Sequence, residues 1–296
     1  MDSDTLPLAR SAIDRDAPRR RDGIEALVQS AASVRVLQVG GGQVAGDADG
    51  LRLGERINQD RELVYLGVDG EGVRYLAELG SEGLDGATVN IRDLGWQLSA
   101  RDAGLATAAL GLAHWHATNR FCPRCGAPTL IAVAGWERHC TAEGTPHFPR
   151  TDPAVIMAIT DSDDRLLLGH AVGWPSGQFS VPAGFVEPGE SLESAVRREV
   201  QEETAVTVGR VRYGASQPWP FPASLMLGFF GEALTNEPVA DGVEMAEAMF
   251  VSRSQLAQLL TDGAIRLPRA TSIAHHLVKQ WYGSQWPDTG WRLTSN

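Results

Sequence analysis

The sequence predicts an α+β protein: a β-rich N-terminal domain that ends in a helix, a small cysteine-bearing module, and a C-terminal domain of alternating strands and helices. Three observations carry this expectation. Short apolar runs bounded by turn residues crowd the first part of the chain, Cys122, Cys125 and Cys140 cluster between Phe121 and Thr141, and apolar strands after Ala154 frame an amphipathic helix near Ser191–Thr204. With 296 residues and 43% hydrophobic content, the chain is long for one small domain and can bury a substantial core.

Residues 1–22 mix Asp, Arg and Pro without apolar periodicity and read as a flexible, solvated lead-in. In the domain expected over 23–118, Val34–Val39, Glu62–Val68 and Val73–Leu79 read as strands, and Asp69-Gly70-Glu71-Gly72 suits a tight hairpin between the last two. Ser99 followed by Asp102 is a helix-start signature, after which Leu105, Ala108, Ala109, Leu112, Trp115 and His116 recur at helical spacing. The cysteine module is placed at 119–150 and the last domain at 151–296. There, Ala154–Ile159 and Arg165–Gly169 read as strands around the turn Asp161–Asp164, followed by the helix Ser191–Thr204. Further strands are expected at Val206–Tyr213, Leu225–Glu232 and Ala246–Val251, with a closing helix over Ser272–Trp281.

Charge narrows the function classes. A formal net charge of -11 argues against a general nucleic-acid or anionic-membrane surface, because those need clustered Lys and Arg. A polyanionic substrate would then need a metal to supply positive charge locally. No apolar run approaches the roughly 20 residues that span a bilayer, and Met1–Arg21 is polar and charged rather than signal-like. No membrane partner and a cytoplasmic location are expected.

Three cysteines are an odd number for a disulfide framework. Cys122-Pro-Arg-Cys125 has the spacing with which two thiolates grip one tetrahedral Zn²⁺, and Cys140, after fourteen intervening residues, fits the second half of a zinc ribbon. Glu143 occupies the place of the usual fourth cysteine. His139 and His147 are the other candidates, and His147 is chemically better than Glu143 for a structural zinc. The alternative is a set of free buried thiols in a ribbon that has lost its metal.

The segment Gly184 to Glu203 carries the most information. At about 100° per residue, Leu192, Ala195, Val196 and Val200 form an apolar stripe, and Glu199 and Glu203 fall inside it, with Glu202 at its edge. Carboxylates converging at i, i+3 and i+4 repel one another, the more so when partly buried, unless a cation joins them. Hard oxygen donors of this kind favour Mg²⁺ or Mn²⁺. A surface helix with solvated glutamates is the alternative, and it would keep Glu199 and Glu203 off the apolar stripe.

This segment resembles the Nudix box, G-x5-E-x7-R-E-U-x-E-E-x-G-U with U aliphatic, through Gly184, Glu190, Arg198, Glu199, Val200, Glu202, Glu203 and Val206. Ala205 stands where the box has glycine, a loss of positive-φ tolerance expected to shift the helix exit slightly. The resemblance implies an α/β/α sandwich preceded by the β-rich domain and the zinc ribbon. It implies that Glu199, Glu202 and Glu203 are catalytic and bind Mg²⁺ or Mn²⁺, that Glu190 and Arg198 brace the loop and helix, and that Glu244, with Glu247 second, is a further ligand.

Downstream, Ser216-Gln217-Pro218-Trp219-Pro220-Phe221-Pro222-Ala223-Ser224 resembles the SQPWPFPxS array that distinguishes NADH pyrophosphatases among Nudix enzymes. That resemblance implies hydrolysis of NAD(H) to nicotinamide mononucleotide and AMP, and removal of NAD caps from RNA by members of the group. It further implies a homodimer, with Phe148, Phe185, Gln217, Trp219 and Ser224 as substrate-binding residues and ordinary core packing as their alternative role. The implied mechanism is in-line attack by a metal-activated water, with Glu203 or another box glutamate as general base. Two other readings stay open: a Nudix hydrolase of another substrate, such as ADP-ribose or a coenzyme A derivative, and a non-catalytic nucleotide-sensing regulator.

Overall fold

A computed structural model describes residues 3–58, 60–80, 84, 86–284 and 286. Its chain divides into two compact units. One comprises residues 7–151 together with 218–224, and the other residues 1–6, 152–217 and 225–296.

The first unit is built on a sheet of β1 (Ser33–Gly40), β2 (Gln43–Asp47), β3 (Gly50–Leu51), β4 (Leu53–Gly54), β5 (Glu62–Val68), β6 (Val73–Leu79) and β7 (Thr88–Val89). Its main path runs β3-β2-β1-β6-β5, with β1 and β6 parallel. The expected hairpin joins β5 and β6, and Asp69 closes it by accepting hydrogen bonds from the Glu71 and Val73 N–H groups. After helices α1 (Gly23–Gln29) and α2 (Ile91–Leu94) comes α3 (Ala100–Thr118). Ser99 caps α3 by accepting from the Asp102 N–H, and Leu105, Ala109 and Leu112 lie buried in the core that α3 shares with Leu37, Val39, Val64 and Ala77. The Asp102 carboxylate does not close a capping box; it accepts from the Leu51 N–H at 3.3 Å.

The solvated lead-in is corrected by the structure. Met1 and Asp2 lie outside the described residues, but Leu6 and Leu8 are buried, Asp14 exchanges two backbone hydrogen bonds with Val68, and the Tyr65 hydroxyl donates to Asp16. Leucines separated by one residue and a single backbone bridge give too short a pattern to register as periodicity. Gly67, at φ +135°, makes the approach possible, since a Cβ there would overlap the Asp14 carbonyl.

Three short strands, β8 (Thr129–Ala132), β9 (Glu137–Cys140) and β10 (Pro146–His147), make the antiparallel ribbon that carries the cysteines. The other unit contains β11 (Asp152–Thr160), β12 (Leu166–Ala171), β13 (Ala183–Phe185), β14 (Val208–Trp219) and β15 (Ser224–Ala233) apart from their ends at 218–219 and 224, and β16 (Met245–Val251). The sheet runs β14-β15-β11-β12-β16, with β13 paired to β11. Helix α4 (Leu192–Thr204) lays Ala195, Val196 and Val200 on Val155, Met157, Ile159 and Phe229 of one sheet face. Helix α5 (Arg253–Thr261) follows, and α6 (Ile273–Tyr282) brings Ile273 and Leu277 against Gly228 on the opposite face. The result is a helix-sheet-helix sandwich. Among the described residues no helix is long and apolar enough to cross a membrane.

Candidate functional site

Helix α4 begins where Ser191 accepts a hydrogen bond from the Ser194 N–H, and its apolar stripe fixes its rotation on the sheet. That rotation buries two carboxylates, leaving Glu199 8% and Glu203 4% exposed, while Glu202 faces outward. Gly184 in β13 admits Glu199, because any Cβ there would overlap its carboxylate. Arg198 ties the cluster together. It donates to both oxygens of Glu190 at 2.9 and 3.0 Å, to Glu199 at 2.9 Å, to Glu202 at 3.0 Å and to the Phe185 carbonyl at 2.9 Å. The guanidinium lowers the pKa of Glu190.

Glu203 has no such partner. Its Oε2 is buried without a hydrogen bond, and burial, reinforced by the charges of Glu199, Glu244, Asp241 and Glu202, pushes its pKa up to about 8. Burial also raises Glu199, against the pull of Arg198 and with Glu202 and Glu244 adding to the rise. The charges of Glu199, Glu202, Glu244 and Asp241 thus all act on the buried Glu203 carboxylate, although no three of these carboxylates bring their oxygens within 4.8 Å of one another among the described residues. Glu247 stands opposite His170 in the β12–β16 ladder.

In the ribbon, the sulfurs of Cys122, Cys125 and Cys140 all lie within 4.8 Å of one another, and those of Cys125 and Cys140 are 3.4 Å apart. Two matching knuckles hold them: the Gly126 N–H donates to the Cys122 carbonyl and the Gly144 N–H to the Cys140 carbonyl, both at 2.9 Å and both with glycine at positive φ. The second knuckle keeps this shape with Glu143 in the fourth position. Backbone N–H groups lower the pKa values of Cys122 and Cys140, whereas Cys125, although the Ala127 N–H favours its thiolate, is pushed up to about 11 by the neighbouring thiols. Of the three candidates for a fourth donor, His139 is bonded to Glu137 at 2.8 Å and Glu143 is exposed. His147 sits beside Cys122 with Nε2 buried and unbonded. The group that closes within 4.8 Å comprises the three sulfurs alone.

A family model described as NUDIX domain matches residues 150–271, and one described as NADH pyrophosphatase zinc ribbon domain matches residues 117–148. The NAD-capped RNA hydrolase NudC of Mycobacterium bovis is 39% identical over 237 residues, covering 74% of this chain and 75% of that protein. The chain belongs to the NADH pyrophosphatase subfamily of the Nudix hydrolases. The NAD-capped RNA hydrolase NUDT12 of Homo sapiens, and that of Macaca fascicularis, are each 42% identical over 197 residues, 62% of this chain. The chain spans 43% of the length of these two relatives.

For this Nudix chain, the ribbon match and the thiol cluster support a structural zinc, and the Nudix domain implies a divalent cation. At the place of the box glycine, Ala205 itself adopts φ 57°, ψ 10° and donates to the Gln201 carbonyl at 3.0 Å, so the helix ends in a left-handed turn at the cost of strain in a residue with a Cβ.

The residues implied for substrate divide between the two units. Phe185 and Gln217 belong with the glutamates, and Phe148, Trp219 and Ser224 belong with the N-terminal unit. Phe185 and Phe148 are 59% and 61% exposed, so both present ring faces. Gln217 is internal, its amide donating to the Thr271 carbonyl at 2.8 Å while Oε1 is buried without a partner. Trp219 packs with Phe221 on the N-terminal core, the rings edge to face at 5.0 Å, and the Arg92 guanidinium lies 4.5 Å from the Phe221 ring centre.

Asp241 was not singled out from the sequence. Its carboxylate accepts from the Val243, Glu244 and Met245 N–H groups and so shapes the turn that presents Glu244, while its own charge bears on Glu203. The Asp241-Gly242 pair was the available signal, since that dipeptide marks a turn.

Proposed function

We propose that the protein is a divalent-metal-dependent hydrolase of the diphosphate of NAD(H), yielding nicotinamide mononucleotide and AMP, and that it also removes NAD caps from RNA. The names of the relatives support this substrate class, and the SQPWPFPxS array supports it independently. The observation that carries the chemistry is Glu203, a buried carboxylate with a bare oxygen among four other acidic groups, a donor set that fits a hard cation and leaves its own charge uncompensated otherwise. Glu199, Glu202, Glu203 and Glu244 would hold Mg²⁺ or Mn²⁺. Such a cation supplies charge neutralisation for the diphosphate and acidifies a water.

The chain's own side chains do the rest. Arg198 fixes the Glu199 carboxylate and anchors Glu190, keeping the loop before α4 in register with it. Glu203, or another box glutamate, would take the proton of the attacking water as the reaction's general base. Phe185 and Phe148 offer flat apolar faces of the kind a nicotinamide or adenine ring stacks on, and Gln217, Trp219 and Ser224 stay with them as the substrate residues this reading names. Cys122, Cys125, Cys140 and His147 would hold the structural zinc, the contact of His147 with Cys122 and its buried, unpartnered Nε2 supporting the fourth place. A homodimer and a cytoplasmic location complete the proposal.

The test is release of AMP from NADH by the purified chain, with and without added Mg²⁺ or Mn²⁺. Metal-dependent release is expected, and Glu202→Gln and Glu203→Gln should each lose about 100-fold or more in turnover while staying folded. Near-normal rates in both variants would refute the assignment.

A further inference from the structure

The sandwich has a second concave feature. A cleft of about 410 Å³ opens among β11, β14, β15 and α6. Val155, Met157 and Ile159 point to the α4 side of the sheet, so Ala158 and Thr160, which line the cleft, point to the other. The cleft therefore opens on the face away from the glutamates.

Its lining is basic in a chain of net charge -11. Arg210, Arg212 and Arg253 all reach it, with Asp164 and Glu232 as the acidic members. Arg253 and Asp164 neutralise each other at 2.6 Å, and Arg253 is further fixed by donating to the Trp281 and Tyr282 carbonyls. Arg212 is different: its guanidinium lies over the Phe230 ring, 4.8 Å from the centre, and among the described residues it has no acidic partner. Arg210, two residues before it on the same strand, likewise has no side-chain hydrogen bond or ion pair among the described residues. Solvated arginines on a convex surface need no explanation. Arg210 and Arg212 stand exposed at the opening of a cleft instead, where their fields add across a concave wall that also carries the Glu232 carboxylate.

The chemistry of the wall narrows the ligand. Guanidiniums bind phosphate oxygens through paired N–H donors, and the ring beneath Arg212 holds its plane. The Gln280 amide and the Thr160 hydroxyl add neutral donors, while Glu232 can only accept when ionised. A purely anionic ligand has no use for that carboxylate, but a phosphate joined to a hydroxyl-bearing or amine-bearing group does. The volume lies at the lower end of the range for small-molecule sites, about 300 to 1,000 Å³. We propose that this cleft is a second ligand site that takes a mononucleotide, with Arg210 and Arg212 gripping its phosphate and Glu232 accepting from its ribose or base.

Binding of AMP to the full chain, zinc-loaded and without added Mg²⁺ or Mn²⁺, tests this by calorimetry. One saturable site is expected, displaced by inorganic phosphate and not filled by adenosine. The double variant Arg210→Ala/Arg212→Ala should weaken binding at least about tenfold, and Arg210→Lys/Arg212→Lys, which keeps charge but loses the fork, should fall between. Glu202→Gln/Glu203→Gln should bind AMP as the parent does. Loss of AMP binding in the glutamate variant with retention in the arginine variant would transfer the ligand to the glutamate helix and overturn the proposal. So would adenosine binding as tightly as AMP, equal binding by the lysine variant, or no saturation at all. NADH hydrolysis is read separately, so this site and the proposed reaction fail independently.

Discussion

At Gly184 there is no room for even one methyl group: a Cβ would overlap the Glu199 carboxylate. The backbone there is not in the left-handed region, so space alone demands glycine. Gly184→Ala must therefore displace Glu199, with an expected loss of about 100-fold or more in metal-dependent turnover and weaker Mn²⁺ binding, while the fold remains. Full activity would show that Glu199 is free to move. Ala205 is the opposite case, a residue with a Cβ held at φ 57°. Such a conformation costs about 1 kcal/mol, so Ala205→Gly should stabilise the protein by roughly that amount and leave turnover unchanged. Urea unfolding checks the first statement, and an unaltered midpoint would contradict it.

At the scale of elements, the ribbon invites a choice between two residues. The second knuckle keeps its geometry around Glu143, yet the bare buried nitrogen belongs to His147 on β10. His147→Ala should lower the zinc content of purified protein from one equivalent per chain, and Glu143→Ala should leave it unchanged; the reverse pattern would place Glu143 on the metal. Much of the element layout was legible. The β5–β6 hairpin follows from Asp69 to Gly72, and the burial of Glu199 and Glu203 follows from their place in the α4 stripe. Other parts were not, for reasons that lie outside any local window. Trp219 and Phe221 pack on a core whose members, such as Leu105 and Leu110, are more than a hundred residues earlier in the chain. The β13 strand is three residues long, too short for a period, and the Leu6–Asp16 segment is ordered by the Gly67 backbone rather than by its own pattern.

Across the molecule, buried groups of opposite sign set a pH response that the metal should reshape. His275 is buried with Nδ1 unbonded, and burial, with His276 and Lys279, pushes its pKa down to about 4. Burial likewise lowers His116, whose Nδ1 faces Arg138 at 2.9 Å. Between the ordinary value of 6.5 and about 4, the unfolded chain takes up a proton at residue 275 that the folded chain refuses. Stability from His275 is thus present above 6.5 and lost as pH falls through 4, by about 3 kcal/mol in all. Glu203 acts the other way. Its folded pKa of about 8 exceeds the ordinary 4.5, so its contribution is present below 4.5 and lost as pH rises through 8. Zinc-loaded protein without added magnesium should therefore gain stability as pH falls from 8 to 6.5, where Glu203 and not the buried histidines takes up its proton, and lose part of that gain from 6.5 to 4.5, where His275 and His116 together oppose it. Saturating Mg²⁺ compensates the Glu203 carboxylate and removes its part, so the gain between 8 and 6.5 should vanish and the loss below 6.5 should stand exposed. Thermal unfolding midpoints from pH 4.5 to 8.5, with and without Mg²⁺, measure both arms. A magnesium-free protein that is most stable at pH 8 would show that Glu203 is not held protonated by its surroundings, and with it would go the case for a cation at that carboxylate.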